Sequence, residues 1–499
     1  AQTKPFILKQ GSYKHYVDYF NKMEDENIKQ AIPNDSAWDW MKKNIPLFEC
    51  PQQNFEELFY YRWWTLRKHI KQTEKGYVFT EFLVQRTYAD KYNLISSALG
   101  HHIYESRWLH EKKYMDDNLH IWYRGNDGKA MKKLRFYSGW NQDAIYNRYL
   151  VNGDKKFVVD LLPELEADYA GWEQEKKAAS GLFWQYDVRD AMEETISGGR
   201  KEKNPRPSIN GYMYGNAMAL VKIRSLAGGE EELDPIHLLT AIAYKKKADS
   251  LKQLVQSKLW NSNHNFFEVR KEQGDTLANV KEEIGFIPWY FNMPDSNYSI
   301  AWKSVADTKT FCAPYGITTA DRSHPLFRTH GCCKCEWDGA VWPFATSQTL
   351  TAMANLLNNY KQDYVGHYDY FNMLETLVKS QYVDGKPYIG EYLDEKTGEW
   401  LKGEERSRYY NHSTFNDLII TGLVGLRPRA DNVIEVNPLL PAGKWEWFCL
   451  DNVLYHGRII TIIWDKAGAK YKKGKGLSVW VNGKKVAASP ELKKLRGKL

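Results

Sequence analysis

The chain has 499 residues, of which 43 % are hydrophobic and 26 % charged, and it carries a formal net charge of +7. This balance excludes a disordered chain, no apolar run is long enough to cross a membrane, and the length implies two or three domains. The basic surplus gathers near the end, in KAGAKYKKGKG and ELKKLRGKL, without interleaved aromatics on a predicted helix. That is the pattern of solvated strand edges and a basic tail rather than of a nucleic-acid surface.

The chain opens AQTKPF without an initiator Met. That fits either a mature chain after signal-peptide removal, hence a periplasmic or secreted location, or a trimmed longer chain. Residues 1–50 read as an irregular, partly helical extension packed on the helical domain that starts at 51. Apolar spacing at helical period then marks 55–70, 92–109, 157–172 and 209–228. In 234–260, Asp234 is placed as N-cap and Pro235 in the first turn. Further helices are predicted over 341–359, 369–381 and 416–426, and the segments between them are long, polar and rich in Gly, Trp and Tyr. Long loops on a helical scaffold are usually functional. The pattern is mainly α, a ring of helical hairpins over 51–427 with its long loops at one end. After Leu426 the period changes to two, and Asn482-Gly483 between alternating arms is a type I′ hairpin signal, so 428–499 is predicted to be a small β-sandwich.

Nineteen Trp and 33 Tyr suit a cleft in which flat rings stack on sugars. Glycoside hydrolysis needs two carboxyl groups across the scissile bond. GLFWQYDVRDAMEETISGG (181–199) offers Asp187, Asp190, Glu193 and Glu194 behind Trp184 and Tyr186; RPSIN (206–210) adds Arg206 and Asn210. An acidic helix start would explain the carboxylates equally well. CEWDGAVWPFATSQ (335–348) offers Trp337, Asp338 and Trp342 as a stacking platform with a hydroxyl acceptor. IGEYLDEKTGEW (389–400) places Glu391 and Tyr392 just before turn residues, with Asp394, Glu395 and Lys396 expected in water. Tyr410, Asn411 and His412 are candidate cleft residues, and also resemble the base set of a helical-barrel lyase. RFYSGWNQDAIYNRY (135–149) reads as a cleft loop with Trp140 and Asp143. His101, His102 and Glu105 are too poorly spaced for one helix face to hold a metal. Of six Cys, three lie in GCCKC, which lacks the paired spacing of a zinc site; buried free thiols are expected, with a structural metal or local disulfide as alternatives.

Together these stretches resemble the six-hairpin (α/α)6 glycosidases, nearest to glycoside hydrolase family 63 and the mannosylglycerate-hydrolase-like group. WDGAVWPFATSQTL (337–350) is similar to that family's block before a helix, and GEYLDEKTGEW (390–400) to the block carrying its general base. DVRDAMEETISGG stands where the family's acid loop lies, with Asp190 the best match and Asp187 and Glu193 as alternatives. The resemblance implies an inverting, exo-acting hydrolase of an α-linked sugar, with Asp190 as acid and Glu391 as base. Trp140, Trp184, Trp337, Trp342 and Tyr392 would meet the sugar ring, and Asp143, Arg206, Asp338 and His412 its hydroxyls. The carbohydrate is the only partner called for, and no metal or organic cofactor is required. A polysaccharide lyase and a non-catalytic glycan-binding protein are the rival readings, and the oligomeric state is open.

Overall fold

The computed structural model describes residues 4–228, 234–331 and 334–499. Among the described residues, Leu99–Ser106, Asn141–Asn152, Pro207–Ala227, Ile287–Tyr290, Pro343–Asn359 and the π-helical turn Leu418–Leu423 pack one against the next as an inner ring. Lys113–Arg124, Leu162–Lys176, Pro235–Lys258, Ser296–Ser304, His367–Ser380 and Gln53–Lys68 form the outer partners of an (α/α)6 barrel. All eight residues of Leu99–Ser106 are buried, as are most of Pro343–Asn359, because an inner helix has neighbours on every side. Residues 135–149, read as a loop, instead enter the inner helix Asn141–Asn152. Their apolar residues face neighbours all round, so they lack the one-sided stripe that marks a surface helix.

The ring closes through buried charge. Glu105, 1 % exposed, accepts the backbone N–H groups of Phe415, Asn416 and Asp417 ahead of the last inner helix. A carboxylate there satisfies donors that a helix start leaves unpaired. Arg107, two residues further on, donates to Asp417 at 2.9 Å.

Two antiparallel sheets follow the barrel. The larger runs in the order Leu47–Glu49, Trp447–Tyr455, Arg458–Asp465, Gly476–Val481, Lys484–Ser489; the smaller joins Leu426–Arg427, Val433–Val436 and Leu495–Lys498. Asn482 and Gly483 have φ of 49° and 75°, the left-handed pair that a type I′ turn requires. The edge strand Leu47–Glu49 comes from the N-terminal segment, whose helices Lys14–Asn21 and Ala37–Asn44 lie on Gln53–Lys68. Asp451, fully buried, clasps the segment further by accepting the backbone N–H groups of Phe6, Ile7 and Leu8 at 3.2, 2.6 and 2.8 Å. Asp451→Ala should therefore cost about 2–4 kcal/mol in urea unfolding and expose the segment before Tyr13 to early proteolysis. An unchanged midpoint and cleavage pattern would remove the clasp from the account of stability.

Candidate functional site

The loops preceding five of the six inner helices converge on one recess, of about 50 Å³, at the N-terminal ends of the ring. Among the described residues, three carboxylates line it: Glu81, Glu193 and Glu391. Trp337, Trp342, Phe344, Tyr88, Tyr137, Tyr410 and His412 form its walls, and Arg406 enters from the rim. The positive ends of the helix dipoles point at the same space, which favours negative charge there.

Glu391 is 3 % exposed and sits on an extended arm. Leu393 exchanges two 3.0 Å backbone bonds with Val341, and Tyr409 N–H donates to the Ile389 carbonyl, so the arm is tied on both sides. A Cβ on Gly390 would lie 2.7 Å from the Trp400 ring; only glycine lets the arm pass so close. Arg406 pairs with the Glu391 carboxylate, and Ser407 Oγ donates to it at 3.0 Å. Burial pushes this carboxyl up, against the opposing pull of Arg406. Beyond the arm, Asp394 Oδ1 accepts the N–H groups of Lys396 and Thr397 and builds the expected turn. Glu395, expected in water, is 1 % exposed: the turn folds inward so that Arg328 pairs with Glu395, Asp394 and Glu336 together.

Glu193 lies on the loop after Trp184. Ala191 and Glu194 have φ of 60° and 69°, unusual for residues with a side chain, and these two reversals bracket the turn that sends Glu193 into the recess. Asp187 pins the loop from behind by accepting Val188 N–H at 2.5 Å and Glu194 N–H at 3.2 Å. Burial first, then the nearby Glu391 charge, push the Glu193 carboxyl up to about 7. Glu81 stands at the exit of the hairpin Ile70–Thr73/Gly76–Phe79. Its oxygens accept Ser97 Oγ at 2.6 Å and Tyr410 Oη at 2.5 Å. His412 Nε2 donates to the Glu391 carbonyl at 3.0 Å, and burial holds its ring neutral, well below the ordinary imidazole range. Its Nδ1 has no partner among the described residues and is left as an acceptor.

The chain matches the mannosylglycerate hydrolase MGH1-like glycoside hydrolase domain over residues 91–413. It belongs to that family. The glycosyl hydrolase family 65 C-terminal domain matches residues 426–488 of the chain. A solved chain named "Sialidase" is 59 % identical with a TM-score of 0.96; the match covers 99 % of this chain but 45 % of that one, so the chain spans less than half that relative's length. The GH63 mannosylglycerate hydrolase of Thermus thermophilus, solved in complex with glucose, aligns at a TM-score of 0.53 and 12 % identity over 72 % of this chain and 98 % of that one. The GH78 family rhamnosidase of Bacillus sp. GL1 aligns at 0.57 and 11 % over 85 % and 40 %. These last two are likenesses of fold.

Of the residues the sequence singled out, Glu193, Glu391, Trp337, Trp342, Tyr410 and His412 line the recess. Asp190 does not. Its carboxylate, fully buried behind the loop, accepts Arg206 Nε at 2.8 Å and the Ser208 hydroxyl, so Arg206 too is a structural partner rather than a sugar ligand. Asn210 is likewise occupied, bridging Phe183 N–H and carbonyl. Trp140 is core, enclosed by His101, Tyr212, Tyr290 and Phe344. Asp143 bonds Tyr104 Oη at 2.7 Å and borders a separate cavity with Arg107, Lys222 and Arg427. Trp184 lies under Lys176, whose ammonium is 4.1 Å from its ring centroid. Asp338 accepts His330 N–H and holds the preceding loop. Tyr392 backs the wall: it stacks on Trp342 at 4.7 Å, which stacks on Trp337 at 4.7 Å, and its hydroxyl donates to Glu336. His101 and His102 donate to the carbonyls of Phe344 and Asn411. Cys50, Cys312, Cys335 and Cys449 are free thiols, while Cys332 and Cys333 lie outside the described residues.

The sequence reading passed over Glu81 and Arg406. A carboxylate just past a strand end, in F-T-E-F, was the available signal for the first; nothing local distinguishes the second.

Proposed function

We propose that this hydrolase removes a single uncharged sugar from a non-reducing end by inversion, with Glu193 as general acid and Glu391 as general base. The carrying observation is that one recess brings together a buried Glu391 and a half-buried Glu193 from different loops in contrasting surroundings. Glu391 has a guanidinium at its oxygen, which favours the ionised form a base needs. Burial and the neighbouring Glu391 favour the protonated form of Glu193, which an acid needs. Glu193 would protonate the glycosidic oxygen as it leaves, while Glu391 takes a proton from the water attacking the anomeric carbon. The small recess, about 50 Å³, supports exo action, because it has no room for a chain to run through. The family resemblance supports inversion and an α-linkage.

An uncharged sugar follows from the balance of charge. Arg406 is already paired with Glu391, Glu81 adds a further carboxyl group, and Glu193 is held protonated as the acid. A sugar bearing its own carboxylate would meet repulsion and, among the described residues, find no free cation in the wall. The same balance argues against a lyase, which must neutralise a uronate; Tyr410, its base in that reading, already donates to Glu81.

Proton NMR during cleavage tests the mechanism: the first-formed product should carry the inverted anomer, and a retained anomer would sink the assignment. Matched α- and β-linked neutral glycosides test the linkage. In pH, kcat/KM should fall as pH rises through about 7, where Glu193 loses its proton, and fall again at low pH as Glu391 gains one. A profile flat from pH 6 to 9 would remove Glu193 as the acid.

A further inference from the structure

We infer that Glu81 is a specificity-determining residue that accepts a hydrogen bond from one ring hydroxyl of the sugar in the recess; this rests on the hydrolase reading above. Glu81 is fixed at both ends. Its carbonyl accepts Asn411 N–H at 3.0 Å, and Asn411 Nδ2 donates to the Thr80 carbonyl next door at 3.1 Å. Its carboxylate is held by two hydroxyls, Ser97 on one oxygen and Tyr410 on the other. Tyr410 is itself wedged edge-on between Phe82 and His412, with ring centroids at 4.5 and 3.9 Å.

A carboxylate offers about four acceptor positions. Ser97 and Tyr410 take one each, and the group borders the recess, so acceptor capacity remains on the side where a substrate sits. Its two bonded partners are neutral hydroxyls, and a buried carboxylate with such partners is costly unless a ligand group offsets the desolvation. Burial pushes the Glu81 carboxyl up to about 7, and once it is ionised its partner must be a donor. A sugar hydroxyl is a donor, and an adjacent carboxylate is not. Held by both oxygens, Glu81 is given no part in the proton transfers assigned to Glu193 and Glu391. Its contribution is therefore position: it selects a sugar with a free hydroxyl at one ring carbon and rejects analogues lacking it.

The test begins with nitrophenyl glycosides of neutral pentoses and hexoses in both anomers. For the glycoside turned over, wild type, Glu81→Gln and Tyr410→Phe are compared on the parent and on each monodeoxy analogue. One deoxy analogue should lose about 10- to 100-fold in kcat/KM with wild type and under threefold with Glu81→Gln, while the other analogues lose equally with both. Tyr410→Phe, which leaves Glu81 in place but frees one oxygen, should show a smaller loss confined to the same analogue. Equal wild-type losses on every analogue, or the same pattern of deoxy losses in Glu81→Gln as in wild type, would overturn the inference while leaving the hydrolase intact. If wild type turns over no glycoside, or Glu391→Gln is as active as wild type, the underlying reading fails instead. Should Glu81→Gln not fold, Tyr410→Phe alone decides: an unchanged deoxy pattern overturns the inference.

Discussion

Glu391→Gln is expected to lower kcat by about 10³-fold or more with the fold intact. Gln has the same shape, keeps an oxygen for Arg406 and Ser407, and leaves the tied arm between Val341 and Tyr409 undisturbed. What it loses is basicity toward water. Added azide, a nucleophile that needs no deprotonation, should restore part of the turnover. Near-normal kcat in the variant would eliminate Glu391 from the chemistry. A loss accompanied by a lowered unfolding midpoint would mean that the arm, not the proton, had been damaged.

Glu193→Gln should give a loss of similar size, but one that depends on the leaving group. A departing sugar alkoxide needs a proton, whereas a dinitrophenolate does not. The variant should fall by about 10³-fold on oligosaccharide and stay within about tenfold of wild type on the dinitrophenyl glycoside. Asp190→Asn supplies the contrast. It breaks a fully buried ion pair with Arg206, so the expected result is destabilisation of about 3–5 kcal/mol, with activity of the folded fraction reduced alike on both substrates. Leaving-group dependence in Asp190→Asn, and none in Glu193→Gln, would restore Asp190 as the acid.

That proposed exchange of acids shows where sequence reading stops. The block of the proposed base, Glu391, was legible because its determinants are local: a glycine beside the carboxylate, then an Asp-x-x-Thr-Gly turn whose side chains bond their own backbone. The carboxylate facing it was not, because four carboxylates share one short loop. Which of them faces the recess is decided by backbone reversals at Ala191 and Glu194 and by Arg206 capturing Asp190. Neither leaves a mark in composition or spacing. Trp140 and Asp143 were drawn to the cleft by residue type alone, while tertiary packing placed one in the core and the other on a different cavity. The outer architecture was more open to reading: helical periods, the change to period two after Leu426, and the Asn-Gly turn are all short-range signals. The strand Leu47–Glu49 was not, since its partner Asp451 lies far along the chain and three residues carry no periodicity.

That pairing has a consequence for synthesis. The N–H of Phe6 meets the carboxylate of Asp451 across 445 positions of sequence. On a ribosome that adds about 5–20 residues per second, Phe6 waits roughly 20 to 90 seconds for its counterpart to appear. Until then Leu47 and Phe48 lack the strand Trp447–Tyr455 that pairs with them. This stretch should thus be a client of holding chaperones, and native-like resistance should appear in one late step, when the strand Trp447–Tyr455 emerges and draws residues 6–8 and 47–49 into place.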